Sequence, residues 1–489
     1  MGLGIVEIEC NGGQCKIVDR LPSVPIREIS EACSYRVQGY EFMDAYRRGN
    51  WDGKRRLFHK SHRTFPIGLL DVVQGILIRH DVDFIVSKSE SNLHAVSLPM
   101  SDEWVPRPYQ FEAADNIVQA KIGVIRMATG GGKTVVAGHV MSILNLPTLF
   151  LVHTKDLLYQ AIDTFVDMFG VKRVGQIGDG VVEVSSVTVA TIQTVSRVLG
   201  MEWKKYEYEE DSWDDSETQP VADQAQWIRD CLDNVGVVFM DECHRVAAPT
   251  AMDVMASLSN PTFRIGLSAS PWRDDGADLA ITGCLGPIVY SINASTLADM
   301  GYLVKPIIRM LPVPPMQFPK DTPYARVYSQ YIVENEHRNE MVVKHAASLL
   351  RRGKPTIVLV RHIKHGMHLQ ELISERVGVW IPFISGRDPA FVRKQALDDM
   401  REGKSNLMIA STIADEGLDI KPLQGLILAG GGKSSVKALQ RVGRTLRTFE
   451  GKEGAEIVDF DDRARWLINH SAARQRLYET EPAWTVIDA

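Results

Sequence analysis

From about residue 105, short apolar runs rich in β-branched residues alternate with segments that repeat apolar positions at helical spacing. The apolar runs are of strand length, and the segments between them include 133–144 and 156–168. Strands that alternate with helices indicate a parallel sheet covered by helices on both faces. The strands predicted for this first α/β unit are 122–127, 148–152, 187–190, 235–240 and 263–267.

The same alternation restarts further along the chain and predicts a second α/β unit. Its predicted strands are 356–360, 381–384, 407–410, 426–428 and 455–459. Five prolines within 311–323 predict an irregular connection near the join of the two units. Residues 1–100 show mixed short strands instead, which favours a small α+β domain. We therefore expect an α/β protein with two tandem parallel-sheet domains, 101–304 and 305–489, preceded by an N-terminal domain, 1–100.

The composition excludes several classes of protein. Apolar residues make up 45% and charged residues 24% of the 489 residues, a balance typical of soluble globular proteins. A membrane span needs about 20 consecutive apolar residues, and the N-terminus lacks the pattern of a secretory signal, so no membrane partner is expected. The six cysteines lack zinc-site spacing, and we expect them to be reduced thiols of a cytoplasmic protein.

The net charge of −6 is unevenly distributed along the chain. Residues 201–223 hold nine acidic residues and two lysines, which predicts a solvated loop or, alternatively, a gate that repels or mimics DNA. Residues 47–63 carry a net charge of +6, with Trp51 and other aromatic side chains between the cations. This stretch predicts a grip on duplex or junction DNA, and the alternative is a solvated hairpin with Trp51 in the core. The candidate DNA-binding cations are Arg47, Arg48, Lys54, Arg55 and Arg56.

A glycine-rich loop within 127–134 follows a predicted strand and opens a predicted helix, which is the setting of a phosphate-binding loop. Its glycines let backbone N–H groups turn toward phosphate oxygens, and the helix N-terminus adds partial positive charge. Lys133 is the expected charge for the β- and γ-phosphates, and Thr134 the expected hydroxyl ligand of Mg²⁺. Met127 stands where the general pattern has its first glycine. The candidate nucleotide-binding residues of the loop are Thr129, Gly130, Gly131, Gly132, Lys133 and Thr134.

An apolar strand that ends in two carboxylates follows the loop by about the length of a nucleotide-binding core. Carboxylates at the carboxyl end of a strand lie at the edge where α/β sheets bind ligands. Asp241 is expected to hold Mg²⁺ through water, and Glu242 to orient and deprotonate the attacking water. Near the C-terminus, Arg444 and Arg447 are three residues apart and should share a helix face, either as arginine fingers or as a solvated basic surface.

Taken in order, these segments resemble the motifs of superfamily 2 helicases over about residues 105–460. The resemblance implies two RecA-like domains, ATP and Mg²⁺ as cofactors, and a Q motif in which Arg107 and Gln110 read the adenine. It implies that Ser268 to Ser270 link the ATP site to a nucleic-acid surface. The catalytic residues that it implies are Lys133, Asp241, Glu242, Gln440, Arg444 and Arg447.

The resemblance also implies that a single strand lies in a groove of the core and is held by its sugar–phosphate backbone, with weak sequence preference. The residues at the matching positions are Thr154, Lys155, Thr191, Arg361, His362, Ser411 and Thr412.

Shorter segments narrow the resemblance to XPB-like and UvsW-like DNA helicases. Residues 270–276 are similar to a signature of that group, and residues 46–57 resemble the leading domain of phage UvsW-type enzymes. The implied function is ATP-driven unwinding or branch migration of forked, branched or duplex DNA in replication, recombination or repair, in the host cytoplasm if the protein is phage-encoded. Replication or recombination proteins are candidate partners. The alternatives are a superfamily 2 RNA helicase and an ATP-gated protein that binds or anneals nucleic acid.

Overall fold

The computed structural model describes residues 5–88, 93–200, 222–258, 260–270, 277–411, 420–432 and 442–488. Contacts between residues divide the chain into two units. The first unit comprises Met1–Met127 with Gly132–Ser291, and the second comprises Ala128–Gly131 with Ile292–Ala489. Among the helices of the described residues, none is long and apolar enough to cross a membrane.

The N-terminal part of the first unit is a small α+β structure. A four-stranded sheet has the order β5-β2-β1-β6, and β3 and β4 form a separate two-stranded ribbon. Alternate residues of β1 are buried, and the helices α1 and α3 contribute apolar side chains to the same core. The elements are β1 (Val6–Asn11), β2 (Gln14–Ile17), α1 (Ser23–Ala32), β3 (Ser34–Arg36), α2 (Asp44–Arg47), β4 (Lys54–Arg56), β5 (Thr64–Pro66), α3 (Leu70–Arg79) and β6 (Phe84–Lys88).

The expectation that all six cysteines are reduced thiols is wrong for one pair. Cys10 and Cys15 form a disulfide across the hairpin of β1 and β2. The two residues are directly opposite in the antiparallel register, with their Cα atoms 4.1 Å apart. Directly opposed positions bring Cβ atoms close together, which sequence spacing alone does not reveal.

The tip of this hairpin is fastened to the rest of the first unit by a buried arginine. The Arg264 guanidinium is 1% exposed and donates to the backbone oxygens of Gly12, Met255 and Leu258. A Cβ at Gly13 would meet the same guanidinium group, so only glycine fits there. Burial lowers the pKa of Arg264 to about 10, and the three carbonyl oxygens compensate for part of its lost hydration.

The remainder of the first unit is the first predicted parallel sheet, with the strand order β10-β9-β11-β8-β12-β13-β7-β14. The strands from β9 to β7 in this order pair in parallel. The elements are α4 (Pro108–Ala120), β7 (Ile122–Met127), α5 (Lys133–Leu144), β8 (Thr148–Val152), α6 (Lys155–Phe169), β9 (Val174–Gly178), β10 (Val181–Glu183), β11 (Val187–Thr191), α7 (Ile192–Val198), α8 (Ala222–Asp233), β12 (Val237–Asp241), α9 (Pro249–Ser257), β13 (Phe263–Ser268), α10 (Asp278–Leu285) and β14 (Ile288–Ile292).

The second unit contains the second predicted sheet, which is parallel throughout, with the order β17-β18-β16-β19-β20-β15-β21. The elements are α11 (Ala294–Asp299), β15 (Pro306–Met316), α12 (Tyr324–Tyr328), α13 (Glu336–Arg351), β16 (Thr356–Val360), α14 (Ile363–Val377), β17 (Phe383–Ile384), α15 (Ala390–Arg401), β18 (Leu407–Ser411), β19 (Gly425–Ile427), β20 (Ala455–Ala464), α16 (Leu467–Glu479) and β21 (Thr485–Asp488). The predicted fold class is confirmed.

The prediction of an irregular connection over 311–323 is wrong for residues 311–316, because β15 continues to Met316. The strand tolerates Pro312, Pro314 and Pro315 because its partner β21 pairs only with residues 307–310. Beyond that point no strand of the described residues lies on that side of β15, so a proline there interrupts no ladder among them. On the other side, the register of β15 against β20 shifts between Val313 and Met316, so Pro314 and Pro315 lie outside the regular pairing.

A buried ion pair holds α16 against β20 in the second unit. The Arg474 guanidinium donates to both carboxylate oxygens of Asp459, at 2.8 and 2.9 Å, and the Tyr478 hydroxyl donates to one of them at 2.8 Å. The side chains of Arg474 and Asp459 are 3% and 0% exposed. Such a pair is stable only while both charges are present.

Replacing Arg474 by Met should lower the free energy of unfolding by about 3–5 kcal/mol, because Asp459 would stay buried without its counter-charge. Urea denaturation followed by circular dichroism measures the change. The matched control is Arg463→Met, which removes an exposed partner of Asp461 and should hardly move the midpoint. Equal shifts in the two variants would contradict this account.

Candidate active site

The phosphate-binding loop lies between β7 and α5, as predicted. Gly130 and Gly132 adopt φ angles of +85° and +83°, a region that L-residues with a side chain rarely enter. Gly132 is the N-cap of α5, so the first backbone N–H groups of the helix follow it directly. A Cβ at Gly132 would collide with the side-chain amide of Gln110. Glycine is therefore required at both positions, and the N–H groups that follow Gly132 are of the kind that binds phosphate, so the loop residues fit a nucleotide.

The predicted Q motif lies beside this loop. Gln110 is 3% exposed, and its Oε1 accepts a hydrogen bond from the backbone N–H of Arg107 at 2.8 Å. Arg107 in turn donates to the Tyr109 hydroxyl at 3.2 Å. The amide group of Gln110 therefore helps to start α4 and packs on Gly132 at the same time. That Arg107 and Gln110 read adenine stays a prediction.

The predicted catalytic carboxylates meet the loop lysine at one edge of the first sheet. β12, β13 and β7 are neighbours, and parallel strands place their carboxyl ends at the same edge. Lys133 Nζ lies 3.7 Å from Glu242 Oε1, with side-chain exposures of 13% and 19%. Asp241 Oδ1 accepts from the Glu242 backbone N–H at 2.9 Å. Residues far apart in sequence thus form one partly buried charged cluster.

Glu242 has a φ of +46°, in the left-handed region, which costs free energy for a residue with a side chain. Its Oε2 lies 3.5 Å from His244 Nδ1. The same nitrogen lies 3.4 Å from Ser268 Oγ, and that oxygen accepts from the Ser270 backbone N–H at 3.1 Å. A polar chain therefore runs from Lys133 to the predicted linking segment. No role for His244 was predicted from the sequence, although its position two residues after Glu242 could have indicated one.

The candidate Mg²⁺ ligands are limited to one hydroxyl and one carboxylate from the protein. Thr134 is half-buried in the first turn of α5, and Asp241 ends β12. Within the described ranges, no group of three or more His, Cys, Asp or Glu side chains is arranged for a metal ion. A Mg²⁺ ion in a nucleotide site takes most of its ligands from phosphate and water, so this sparse set is chemically sufficient.

The two candidate arginine fingers lie in the second unit and are half-buried. Residues 442–445 are helical, so Arg444 lies on the helix, whereas Arg447 follows it in an isolated bridge with Leu303. The expectation that both share one helix face is therefore wrong, because the helix ends between them. In the same unit, a Cβ at Gly443 would lie 2.7 Å from Thr129 Cβ. Gln440 lies outside the described residues.

The candidate DNA contacts of the first unit are already engaged within the protein. Thr154 and Thr191 are the N-caps of α6 and α7, and their hydroxyl oxygens accept from Leu157 and Thr194 backbone N–H groups. Thr191 is 1% exposed, so its side chain faces the protein. Lys155 Nζ forms an ion pair with Asp179 Oδ1 at 2.9 Å.

Changing Asp179 to Asn should raise the affinity for single-stranded DNA at low salt, because Lys155 would lose the carboxylate that neutralises it. The salt slope of log K should steepen by about 0.7, the value for one added single-strand contact. The matched control is Tyr159→Phe, which removes a 2.6 Å hydrogen bond to Asp179 without changing charge. If both variants change the slope alike, or neither does, Lys155 is not the contact.

The candidate contacts of the second unit follow the carboxyl ends of β16 and β18. The His362 ring stacks on the Tyr328 ring with centroids 4.8 Å apart, and the Arg361 guanidinium lies 5.6 Å from the same ring. Tyr328 is buried and donates to the Gly430 carbonyl oxygen at 2.6 Å, so it forms a fixed base for both. Ser411 is 1% exposed, and Thr412 lies outside the described residues.

The basic stretch of the N-terminal part is partly neutralised, and Lys54 and Arg55 within it are half-buried. Arg48 lies 3.6 Å from Asp44, Lys54 pairs with Glu31, and Arg56 pairs with Asp52. Trp51 is half-buried, and its Nε1 donates to the Lys54 carbonyl oxygen at 2.8 Å. Of the five predicted DNA-binding cations, only two lack a carboxylate partner among the described residues: Arg47 and Arg55. The acidic segment 201–221 lies outside those residues.

Three family models match separate parts of the chain. Residues 103–273 match the res subunit of type III restriction enzymes, and residues 338–449 match the helicase conserved C-terminal domain. Residues 22–87 match the N-terminal domain of the DNA helicase UvsW. The three models follow each other in the order that the motifs predict.

Relatives that match between half and nine tenths of the chain agree with these models. The chain is 30% identical over 269 residues to helicase 22 of Sulfolobus islandicus filamentous virus, covering 52% of this chain and 47% of that one. It is 24% identical to the ATP-dependent DNA helicase uvsW of Enterobacteria phage T4, covering 89% and 87% of the two chains. It is 25% identical to the DNA 3'-5' helicase XPB of Kineococcus radiotolerans, covering 82% and 67%. The chain thus spans about half the length of the viral relative and most of the phage one.

A solved structure supports the fold. The fragment of an HsdR subunit of a type I restriction enzyme from Vibrio vulnificus aligns with a TM-score of 0.54 at 21% identity, over 78% of this chain and 69% of that one. This likeness shows the fold alone, and the family models and the relatives support a superfamily 2 helicase. Within that superfamily it resembles the UvsW and XPB enzymes, as its motifs predict.

Proposed function

We propose that this protein is an ATP-dependent DNA helicase that unwinds or branch-migrates forked and junction DNA. One observation chiefly supports ATP hydrolysis: Lys133 and Glu242 lie 3.7 Å apart, beside Asp241, at the carboxyl edge of the first sheet. DNA as the substrate is supported by the UvsW N-terminal match and by relatives named as DNA helicases. These findings favour DNA over the RNA helicase alternative and over a protein that only binds or anneals nucleic acid.

The charged cluster suggests how its residues change roles during hydrolysis. In this structure Lys133 and Glu242 face each other, so each charge is partly compensated. Turning the Lys133 ammonium toward the β- and γ-phosphates would leave Glu242 without that cation and able to accept a proton from water. ATP and Mg²⁺ would supply the phosphoryl group and the positive charge on its oxygens, with Thr134 and Asp241 holding the ion. Arg444 and Arg447 would add charge to the same phosphate group.

His244 offers a route from hydrolysis to DNA. Its Nδ1 lies within 3.5 Å of both Glu242 Oε2 and Ser268 Oγ, so a change at the carboxylate reaches the segment 268–270 through one side chain. The Ser268 oxygen holds the backbone of Ser270 in place. We propose that this chain of contacts couples the nucleotide state to the DNA-binding surface.

One experiment tests the proposed function directly. The ATPase rate is measured side by side with no nucleic acid, single-stranded DNA, forked DNA, duplex DNA and RNA. We expect the strongest stimulation by forked DNA and weak stimulation by RNA. Equal stimulation by RNA and DNA would favour the RNA helicase alternative, and binding without any stimulated hydrolysis would favour an annealing protein. The predicted cytoplasmic location and the replication or recombination partners remain predictions.

Changing Arg47, Arg48, Lys54, Arg55 and Arg56 together to Gln should weaken the binding of forks and duplexes more than that of single strands. Each lost duplex contact lowers the salt slope of log K by about 0.9. Three of the five cations are already paired with a carboxylate, so we count only the other two as phosphate contacts. The slope should therefore fall by about 2, whereas five contacts would lower it by about 4.5.

The matched control for this set changes only Arg48, Lys54 and Arg56, the cations with a carboxylate partner. Salt titrations of fork binding should then give nearly the wild-type slope. An unchanged slope in the five-residue variant would show that these cations only face solvent.

A further inference from the structure

The loop between β3 and β4 presents aromatic side chains to solvent. Phe42 is 72% exposed and Tyr46 is 37% exposed, whereas Tyr40 beneath them is half-buried. The buried residues of the N-terminal core include none from the loop residues 40–50, all of which lie in the described part of the chain. Packing of that core therefore does not account for the exposed rings.

The loop is held in one conformation by its own contacts. Gly39, at φ +71°, turns the chain into the short helical turn Tyr40–Phe42. The Tyr40 ring lies against the backbone of Gly53, where a Cβ would collide with it. The rings of Tyr40 and Tyr46 meet edge to face with centroids 4.6 Å apart. Phe42 is thus projected outward from a folded support, and little conformational entropy would be lost when it binds a ligand.

Cations border the exposed rings. The Arg47 guanidinium carbon lies 5.9 Å from the centroid of the Phe42 ring, and Arg47 Nε donates to the Glu41 carbonyl oxygen at 3.2 Å. Arg36 lies 5.1 Å from the Tyr40 ring. The Phe42 ring is 72% exposed although a guanidinium lies over it, so it can still stack a base while the same cation meets the phosphate of that nucleotide.

We propose that Phe42, carried by the turn Tyr40–Phe42 and flanked by Arg47, is a stacking site for an unpaired base of DNA at a fork or junction. In a duplex both faces of each base are covered by its neighbours. An exposed ring can therefore stack only on a base that is no longer stacked within the duplex. Arg47 lies over the ring and lacks a carboxylate partner among the described residues, which favours a polyanion over an apolar protein surface as the occupant. This inference rests on the proposed function, since it assigns a position on the DNA that the helicase would act upon.

The test compares Phe42→Ala with Phe42→Trp in the full chain, without nucleotide. The probe is a fork with 2-aminopurine at its first unpaired position, and a blunt duplex of the same sequence is the reference. Phe42→Ala should lose roughly tenfold in affinity for the fork and little for the duplex, since stacking one base is typically worth 5- to 150-fold. Phe42→Trp should keep the affinity and the quenching of 2-aminopurine, because it retains an aromatic face.

Two further readouts separate stacking from charge and from folding. The salt slope should be the same in wild type and Phe42→Ala, because no cation is removed, whereas Arg47→Gln should lower it. Ile78→Ala removes another exposed apolar side chain of the N-terminal part, 63% exposed, and should change neither affinity nor fluorescence. A loss in Phe42→Ala that is equal on fork and duplex would overturn the stacking site.

Unchanged fork affinity and unchanged fluorescence in Phe42→Ala would also overturn it, and would point to a protein partner for the exposed rings. Failure of the proposed function gives a different result. In that case the wild-type ATPase is not stimulated by any DNA, whereas the binding comparison of the Phe42 variants is made without ATP and keeps its outcome.

Discussion

Glu242→Gln should bind ATP and DNA and hydrolyse almost no ATP. The amide keeps the shape of the side chain and can still approach His244, but it cannot take a proton from the attacking water. Removal of a general base typically costs 10²–10⁴-fold in rate, so we expect turnover to fall by at least about 10². Nucleotide affinity should be retained or increased, because Lys133 would no longer be held by a carboxylate 3.7 Å away.

Single-turnover hydrolysis measures the loss, and equilibrium titration with a fluorescent ATP analogue measures binding. Glu183→Gln makes the same chemical change at an exposed position of the same unit and should leave both unchanged. Turnover of Glu242→Gln within about threefold of wild type would remove the assignment of Glu242 as the base. Loss of ATP binding together with hydrolysis would instead indicate that Glu242 only supports the fold of the strained turn after β12.

The sequence predicts the parallel sheets well because their strands are buried on both faces. Such strands form continuous apolar runs, and the observed bounds of β7, β8 and β16 agree with the prediction. The meeting of Lys133 with Glu242 was also predictable, since the phosphate loop and the acidic pair both follow parallel strands. Periodicity and strand polarity therefore determine most of the candidate ATP site.

Pairings between distant residues could not be predicted in the same way. Asp179 lies in a turn after β9, and nothing in the sequence connects it with Lys155. The three carbonyl partners of Arg264 come from two segments, the β1–β2 hairpin and the end of α9, and the disulfide of Cys10 with Cys15 depends on hairpin register. The prolines of β15 are tolerated because β21 is short and because the register against β20 shifts, both of which are properties of the assembled sheet. In each case the partner is set by tertiary structure and not by local pattern.

The structure changes how strongly the N-terminal cations are expected to bind DNA. The net charge of residues 47–63, taken alone, suggests strong binding to DNA phosphates. Three of the five candidate side chains are paired with carboxylates of the chain, so the expected electrostatic contribution to DNA binding is about halved. The exposed aromatic rings next to Arg47 then become more important, because stacking does not depend on net charge. The N-terminal part would thus distinguish unpaired from paired DNA by stacking as well as by charge.

Arg444→Ala should lower the turnover of DNA-stimulated ATP hydrolysis by about 10² or more while changing nucleotide affinity only modestly. A guanidinium that faces the γ-phosphate acts mainly on the charge of the transition state, and comparable arginine fingers are worth about 10³–10⁵ in rate. Arg444 lies on the helical residues 442–445, whereas Arg447 follows the helix end and forms a bridge with Leu303. We assign the finger to Arg444 and expect the larger kinetic effect there.

The measurement is a full kinetic analysis of ATP hydrolysis at saturating forked DNA. Arg444→Lys should remain strongly impaired, because an ammonium keeps the charge and loses the planar fork of donors. Arg401→Ala is the matched control, since it removes an exposed arginine of the same unit that pairs with Asp398. A variant of Arg444 that raises KM with kcat unchanged would show that this side chain contributes equally to ground-state and transition-state binding. The finger role would then pass to Arg447, whose Ala variant should show the fall in kcat instead.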